Sequence, residues 1–145
     1  EILIGLVGSE MCIRDSHTEY LNDLIRNKLI TPHQSELKTV FHNPCELGRG
    51  CGVYAAPDQV LQTVSHKLAT VYDGKNSLCC GGSLANIHID PGQRTRISSD
   101  AVKAYLSYQP DLLVTACPLC KKTFMKTDTA VPIKDIAEVV AENCR

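Results

Sequence analysis

"DLLVTACPLC", residues 111–120, runs from an apolar β-forming stretch straight into a cysteine, a proline and a second cysteine. Leu112, Leu113 and Val114 are consecutive apolar residues without polar alternation. They predict a strand buried on both faces, as in a parallel sheet. Pro118 suits the first turn of a helix, where no N–H partner is needed and its fixed φ is already helical. The stretch is therefore expected to be a strand–helix junction, with Cys117 ending the strand and Cys120 one turn into the helix.

The same grammar extends outward. "LKTVFHNP", 37–44, is a short β-rich run stopped by Asn43-Pro44, and Cys45 follows it in the glycine-rich "CELGRGCG". "HTEYLNDLIRNKLI", 17–30, places Tyr20, Leu21, Leu24, Ile25 and Leu29 at helical spacing, with Thr18 as the expected N-cap. Residues 56–68 and 90–110 are predicted helices, the first with Pro57 in its opening turn. "ATVYDG", 69–74, is the expected second strand. "KNSLCCGGSLAN" is expected to be loop, or loop turning into helix, "VPIKDI" a last short strand or turn and "IAEVVAENC" a terminal helix. Alternating helices and strands predict an α/β fold: a mostly parallel sheet flanked by helices. Ligands of such sheets sit beyond the carboxyl ends of the strands, which is where Cys45, Cys79, Cys80 and Cys117 are expected.

Composition sets the bounds. The chain has 145 residues, is 43% hydrophobic and 21% charged, and carries a net charge of −1. That suits one domain able to bury a core without disulfide staples. No basic run offers a nucleic-acid footprint, and no apolar run approaches the roughly 18 residues of a membrane span. Eight cysteines are the unusual feature. In a chain with α/β patterning they point to metal binding or redox chemistry rather than to a disulfide scaffold.

Residues 6–16, "LVGSEMCIRDS", fit the translation of a sequencing-library transposon adapter residue by residue. Residues 1–16 are therefore read as an adapter artefact rather than a signal peptide, because Glu1 and Glu10 suit a secretory leader badly. This reading removes Cys12 from any site. It leaves 17–37 as a helical lead-in from an upstream region and 38–145 as the cysteine-rich domain, expected to be the C-terminal fragment of a longer protein.

Thirty-three residues separate Cys45 from the pair Cys79-Cys80, and thirty-six separate the pair from Cys117-x-x-Cys120. The Cys-x-x-Cys half alone fits zinc, a thioredoxin-like couple or chance. Soft thiolates suit iron and zinc, and adjacent cysteines on a bent backbone can offer sulfurs to neighbouring metal atoms. Five thiolates exceed the four of a tetrahedral zinc site. A multi-iron cluster, or zinc with a spare cysteine, follows. A thiol–disulfide enzyme using Cys117 and Cys120 would leave Cys45 and the pair unexplained.

"HNPCELGRG" (42–50), "LCCGG" (78–82) and "TACPLCKKTF" (115–124) together resemble the cysteine-rich CCG domain. That domain occurs in heterodisulfide reductase and in iron–sulfur subunits of glycolate, lactate and anaerobic glycerol-3-phosphate oxidation systems. The resemblance spans about residues 38–143. It implies a Rossmann-like fold and electron transfer in an oxidoreductase. It also implies a noncubane [4Fe-4S] cluster held by Cys45, Cys79, Cys80, Cys117 and Cys120. Some members bind zinc instead, which would make the domain a zinc-stabilised, non-catalytic docking module of a redox complex. A redox partner subunit, for instance a flavoprotein, is implied, with a cytoplasmic location or attachment to the inner membrane face through that partner. Outside the pattern, Cys51 and Cys144 are expected bystanders and His42 a structural hydrogen-bonder. His88 and Arg49 are open candidates near the site, and Gly81 and Gly82 are expected to clear backbone against a cluster.

Overall fold

The computed structural model describes residues 16–82 and 86–144; the adapter-like segment 1–15, with Cys12, lies outside them. In chain order the elements are α1 (His17–Arg26), β1 (Lys38–His42), a π-helical turn (Glu46–Gly50), α2 (Ala55–Val64), β2 (His66–Lys67), α3 (Pro91–Leu106), β3 (Leu112–Thr115), α4 (Pro118–Phe124), β4 (Ile133–Asp135) and α5 (Ile136–Asn143). The four strands form one sheet in the order β2-β1-β3-β4, and every pairing is parallel. This is the expected Rossmann-like arrangement.

Burial on both faces explains the unbroken apolar run of β3. Phe41, Leu112 and Val114 point into one core with Val60, Leu61 and Val64 of α2 and Ile136, Val139 and Val140 of α5. Val40 and Leu113 point the other way, among Ala101, Val102 and Tyr105 of α3 and Phe124 of α4. Leu21 and Ile25 bring α1 onto the first core. The chain steps from β1 to β2 over one face, and from β2 to β3 and β3 to β4 over the other. Crossovers of one hand that run in opposite directions must use opposite faces. The order therefore reverses between β1 and β3, and the crevice at that switch point lies at their carboxyl ends.

The second strand differs from the sequence expectation. The helix expected over 56–68 ends at Val64, and His66–Lys67 pair with Lys38–Thr39 as β2. Ser65 stabilises this exit: its hydroxyl lies 2.9 Å from that of Thr39. "ATVYDG" is a turn instead. The Asp73 carboxylate accepts from the Thr70 N–H and hydroxyl, each at 3.2 Å, and from Lys67 Nζ at 3.1 Å, so the chain folds back on itself. Ser16, rather than Thr18, caps α1, in a capping box with Glu19. Thr18 is buried. Asp90 caps α3 ahead of Pro91, accepting from Gly92 and Gln93 N–H.

Candidate metal centre

β1 and β3 pair in step, His42 opposite Thr115, so both chains leave the sheet at one level. Cys45 lies three residues past His42, and Cys117 two past Thr115. Cys45 begins the π-helical turn, and Cys117 precedes Pro118 as the N-cap of α4. Helical spacing then carries Cys120 back against the sheet, where it is buried beside Cys80, Val40 and Leu113.

Cys79 and Cys80 have no strand of their own to end. They follow an irregular segment that other elements hold in place. His42 is buried, with Nδ1 3.0 Å from Thr115 Oγ1 and Nε2 3.0 Å from the Leu78 carbonyl. A carbonyl can only accept, so Nε2 carries the proton and Nδ1 accepts from the threonine. Burial, the largest cause, pulls the pKa of His42 down to about 4, with the nearby Arg49 charge acting in the same direction. The ring also meets Phe124 and Tyr105 edge-on, with centroids 4.8 and 5.9 Å away. Arg49 Nη1 donates to the Ser77 carbonyl at 2.8 Å and more weakly to that of Lys75. Tyr105 Oη accepts from Leu78 N–H at 3.3 Å and lies 3.2 Å from Ser77 Oγ. Three side chains from β1, the π-helical turn and α3 thus clamp residues 75–78 and deliver the cysteine pair.

Cys45 and Cys120 each sense neighbouring cysteines. Burial, the largest cause, pushes the Cys45 thiol up, and the charges of Glu46, Cys80 and Cys79 add to it against the Glu46 N–H. The Cys120 thiol is driven strongly up by its hydrogen bond with Cys80, then by burial and by Cys80 and Cys117. So many thiols in one half-buried place cannot all ionise without a cation among them. Two of the sulfurs already accept hydrogen bonds from amides: Cys79 Sγ from Gly81 N–H at 3.3 Å and from Asn86 Nδ2 at 3.4 Å, and Cys80 Sγ from Gly82 N–H at 3.4 Å. Such N–H···S bonds stabilise negative charge on sulfur. The donor set therefore fits a thiophilic metal group. Among the described residues, no three His, Cys, Asp or Glu side chains stand at the spacing that closes on a single metal ion.

Several other expectations find their place. With both ring nitrogens engaged, His42 is a structural hydrogen-bonder, and Arg49 is occupied by backbone carbonyls. His88 is exposed. Cys51 and Cys144 are exposed too, Cys51 on a groove beside α1. The two glycines give clearance against protein rather than against a bound group. A Cβ on Gly82 would come within 2.3 Å of Thr123 Oγ1, and one on Gly81 within 2.6 Å of the Arg94 carbonyl; Gly81 also has φ +79°. The chain beyond Cys80 is thereby pressed onto α3 and α4. Asn86 and Tyr105 carry no signal in the sequence, because neither sits in a cysteine motif and the partners of Tyr105 lie far along the chain.

Residues 39–125 match the family described as "Cysteine-rich domain", CCG. Three relatives frame the chain. A subunit of the dihydromethanophenazine:CoB–CoM heterodisulfide reductase of Methanosarcina mazei is 34% identical over 94% of this chain and 36% of its own length. The "Probable membrane-anchored ferredoxin" of Chromohalobacter salexigens is 31% identical over 86% of this chain and 20% of its own. The "Probable iron-sulfur-binding oxidoreductase FadF" of Bacillus subtilis is 24% identical over 88% and 19%. The chain thus spans between a fifth and about a third of the length of these relatives.

Proposed function

The chain belongs to the cysteine-rich CCG domain family, and from that premise we propose that it is an iron–sulfur electron-transfer domain of an oxidoreductase. In this reading Cys45, Cys79, Cys80, Cys117 and Cys120 hold a noncubane [4Fe-4S] cluster, and the domain is residues 38–145 with 17–37 as its lead-in. One observation carries it: Cys45 and Cys117 follow the two in-step strands that flank the switch point, and Cys80 and Cys120 are buried together with Cys117 packed against them. The iron–sulfur and redox names of the relatives support it.

When bound, such a group would supply a one-electron store whose potential is set by burial, charge and hydrogen bonds to sulfur. The chain's own residues do the rest. β1 and β3 fix the spacing of Cys45 and Cys117. His42, Arg49 and Tyr105 hold the segment that presents Cys79 and Cys80. Gly81, Gly82 and Asn86 aim N–H groups at their sulfurs and so favour the thiolates. Burying Cys80 and Cys120 against α3 and α4 keeps water from those sulfurs.

Electrons would pass to or from a redox partner subunit, a flavoprotein in this reading. No helix among the described residues is long and apolar enough to cross a membrane. Attachment at the cytoplasmic membrane face would then run through the partner. Anaerobic purification of the full chain with metal analysis, sulfide assay and paramagnetic resonance is the test. About four irons with matching acid-labile sulfide are expected. One zinc per chain with no visible absorption would overturn the proposal and favour a structural zinc module.

A further inference from the structure

Beside the cysteine pair, and using none of the five cysteines, lies a pocket of about 280 Å³ between α3 and α4. One wall is the bare backbone of Gly81 and Gly82, with Thr123 against it. Leu119 supplies an apolar side. Among the described residues the charged lining consists of Arg94 and Lys126, and none of the lining is acidic.

Arg94 sets the chemistry. Among the described residues its buried Nε finds no acceptor, so the surrounding protein leaves the guanidinium short of partners. Neither Arg94 nor Lys126 makes an ion pair among the described residues, although Lys67, Lys121 and Lys134 all do. Thr95, Ser98, Thr123 and Thr127 each give their hydroxyl proton to a backbone carbonyl, so among the described residues the side-chain donors left to the pocket are cationic. An arginine fork matches two oxygens held on one centre.

We propose that this pocket binds the oxyanion group of a small molecule (a carboxylate, phosphate or sulfonate), Arg94 providing paired hydrogen bonds and Lys126 a second charge. A molecule held there lies against the backbone that carries Cys80, at the proposed centre. The pocket therefore seats the anionic end of a substrate or effector next to the site of electron transfer. This goes beyond the proposed function and does not need the metal to be iron.

The test is calorimetry and thermal melting of the anaerobically purified full chain with phosphate, methanesulfonate and acetate, ionic strength being held constant with chloride. At least one oxyanion should bind saturably and raise the melting temperature, and the three arms distinguish the head-group geometry. Arg94→Met should weaken that binding about ten- to a hundredfold, the loss expected for a charge-assisted hydrogen bond. Lys126→Glu, on an exposed residue, should weaken it about tenfold, and Lys103→Met on the same helix as Arg94 should leave it unchanged. If Arg94→Met fails to fold by circular dichroism, the exposed Lys126 variant decides. Equal response to chloride, no response to any oxyanion, or unchanged affinity in Lys126→Glu would overturn the proposal. Iron content measured on the same samples reports on the electron-transfer reading separately.

Discussion

Cys45 and Cys117 on one side, and Cys79 and Cys80 on the other, reach the same crevice by different means. The first two ride on adjacent, in-step strands whose placement comes from the whole core. The pair rides on an irregular segment held by side-chain hydrogen bonds to its backbone from His42, Arg49 and Tyr105. Strand-borne positions fail only when the fold fails. Clamp-borne positions can open locally while the sheet survives. The pair is thus the adjustable half of the proposed site.

The strongest way to test this contrast is to weaken the sheet. Leu113→Ala, at a fully buried β3 position, is expected to cost about 2–5 kcal/mol by denaturant unfolding. It should raise alkylation of all five cysteines together, and a rise confined to Cys79 and Cys80 would contradict the division.

Acid acts on the clamp next. His42 takes up its proton near pH 6.5 when unfolded but only near pH 4 when folded. Its neutral form is the one folding favours, so its contribution is fully present above about pH 6.5. It falls as the pH drops through the window and is lost below about 4, a change on the order of 3 kcal/mol. Unfolding measured from pH 7 to 4 should show this slope, and His42→Gln should flatten it. An unchanged slope in the variant would place the titration elsewhere.

Tyr105→Phe removes the hydroxyl that holds Ser77 and Leu78 while keeping the ring. A loss of about 1–2 kcal/mol is expected. Alkylation of Cys79 should accelerate about fivefold or more as the segment opens locally, with Cys117 unaffected. Equal acceleration at both would show that the clamp and the strands are one unit. The smallest effect belongs to Lys121→Met, which breaks an exposed pair with Glu138 at 2.6 Å. A change below about 0.5 kcal/mol is expected, shrinking further in high salt.

Much is legible in the sequence because its signals are local. An unbroken apolar run marks β3, a short β-forming run stopped by Asn43-Pro44 marks β1, proline marks the start of α4, and the cysteine spacing marks the proposed site. The second strand is not legible. His66–Lys67 have no strand pattern of their own, and only parallel pairing with Lys38–Thr39 makes them one, whereas "ATVYDG" looks β-forming but is bent by the Asp73 carboxylate. The glycines after Cys80 read as room for a bound group and instead make room for α3 and α4.

The sequence by itself therefore determined the sheet type, the thiol chemistry and where along the chain the sulfurs fall, since each depends on neighbours a few residues apart. Only the tertiary structure decided how Cys79 and Cys80 reach the crevice, that His42 is neutral and occupied, and that Arg94 stands beside them without an ion-pair partner among the described residues. Those outcomes come from hydrogen bonds and burial between residues dozens of positions apart, which no local pattern encodes.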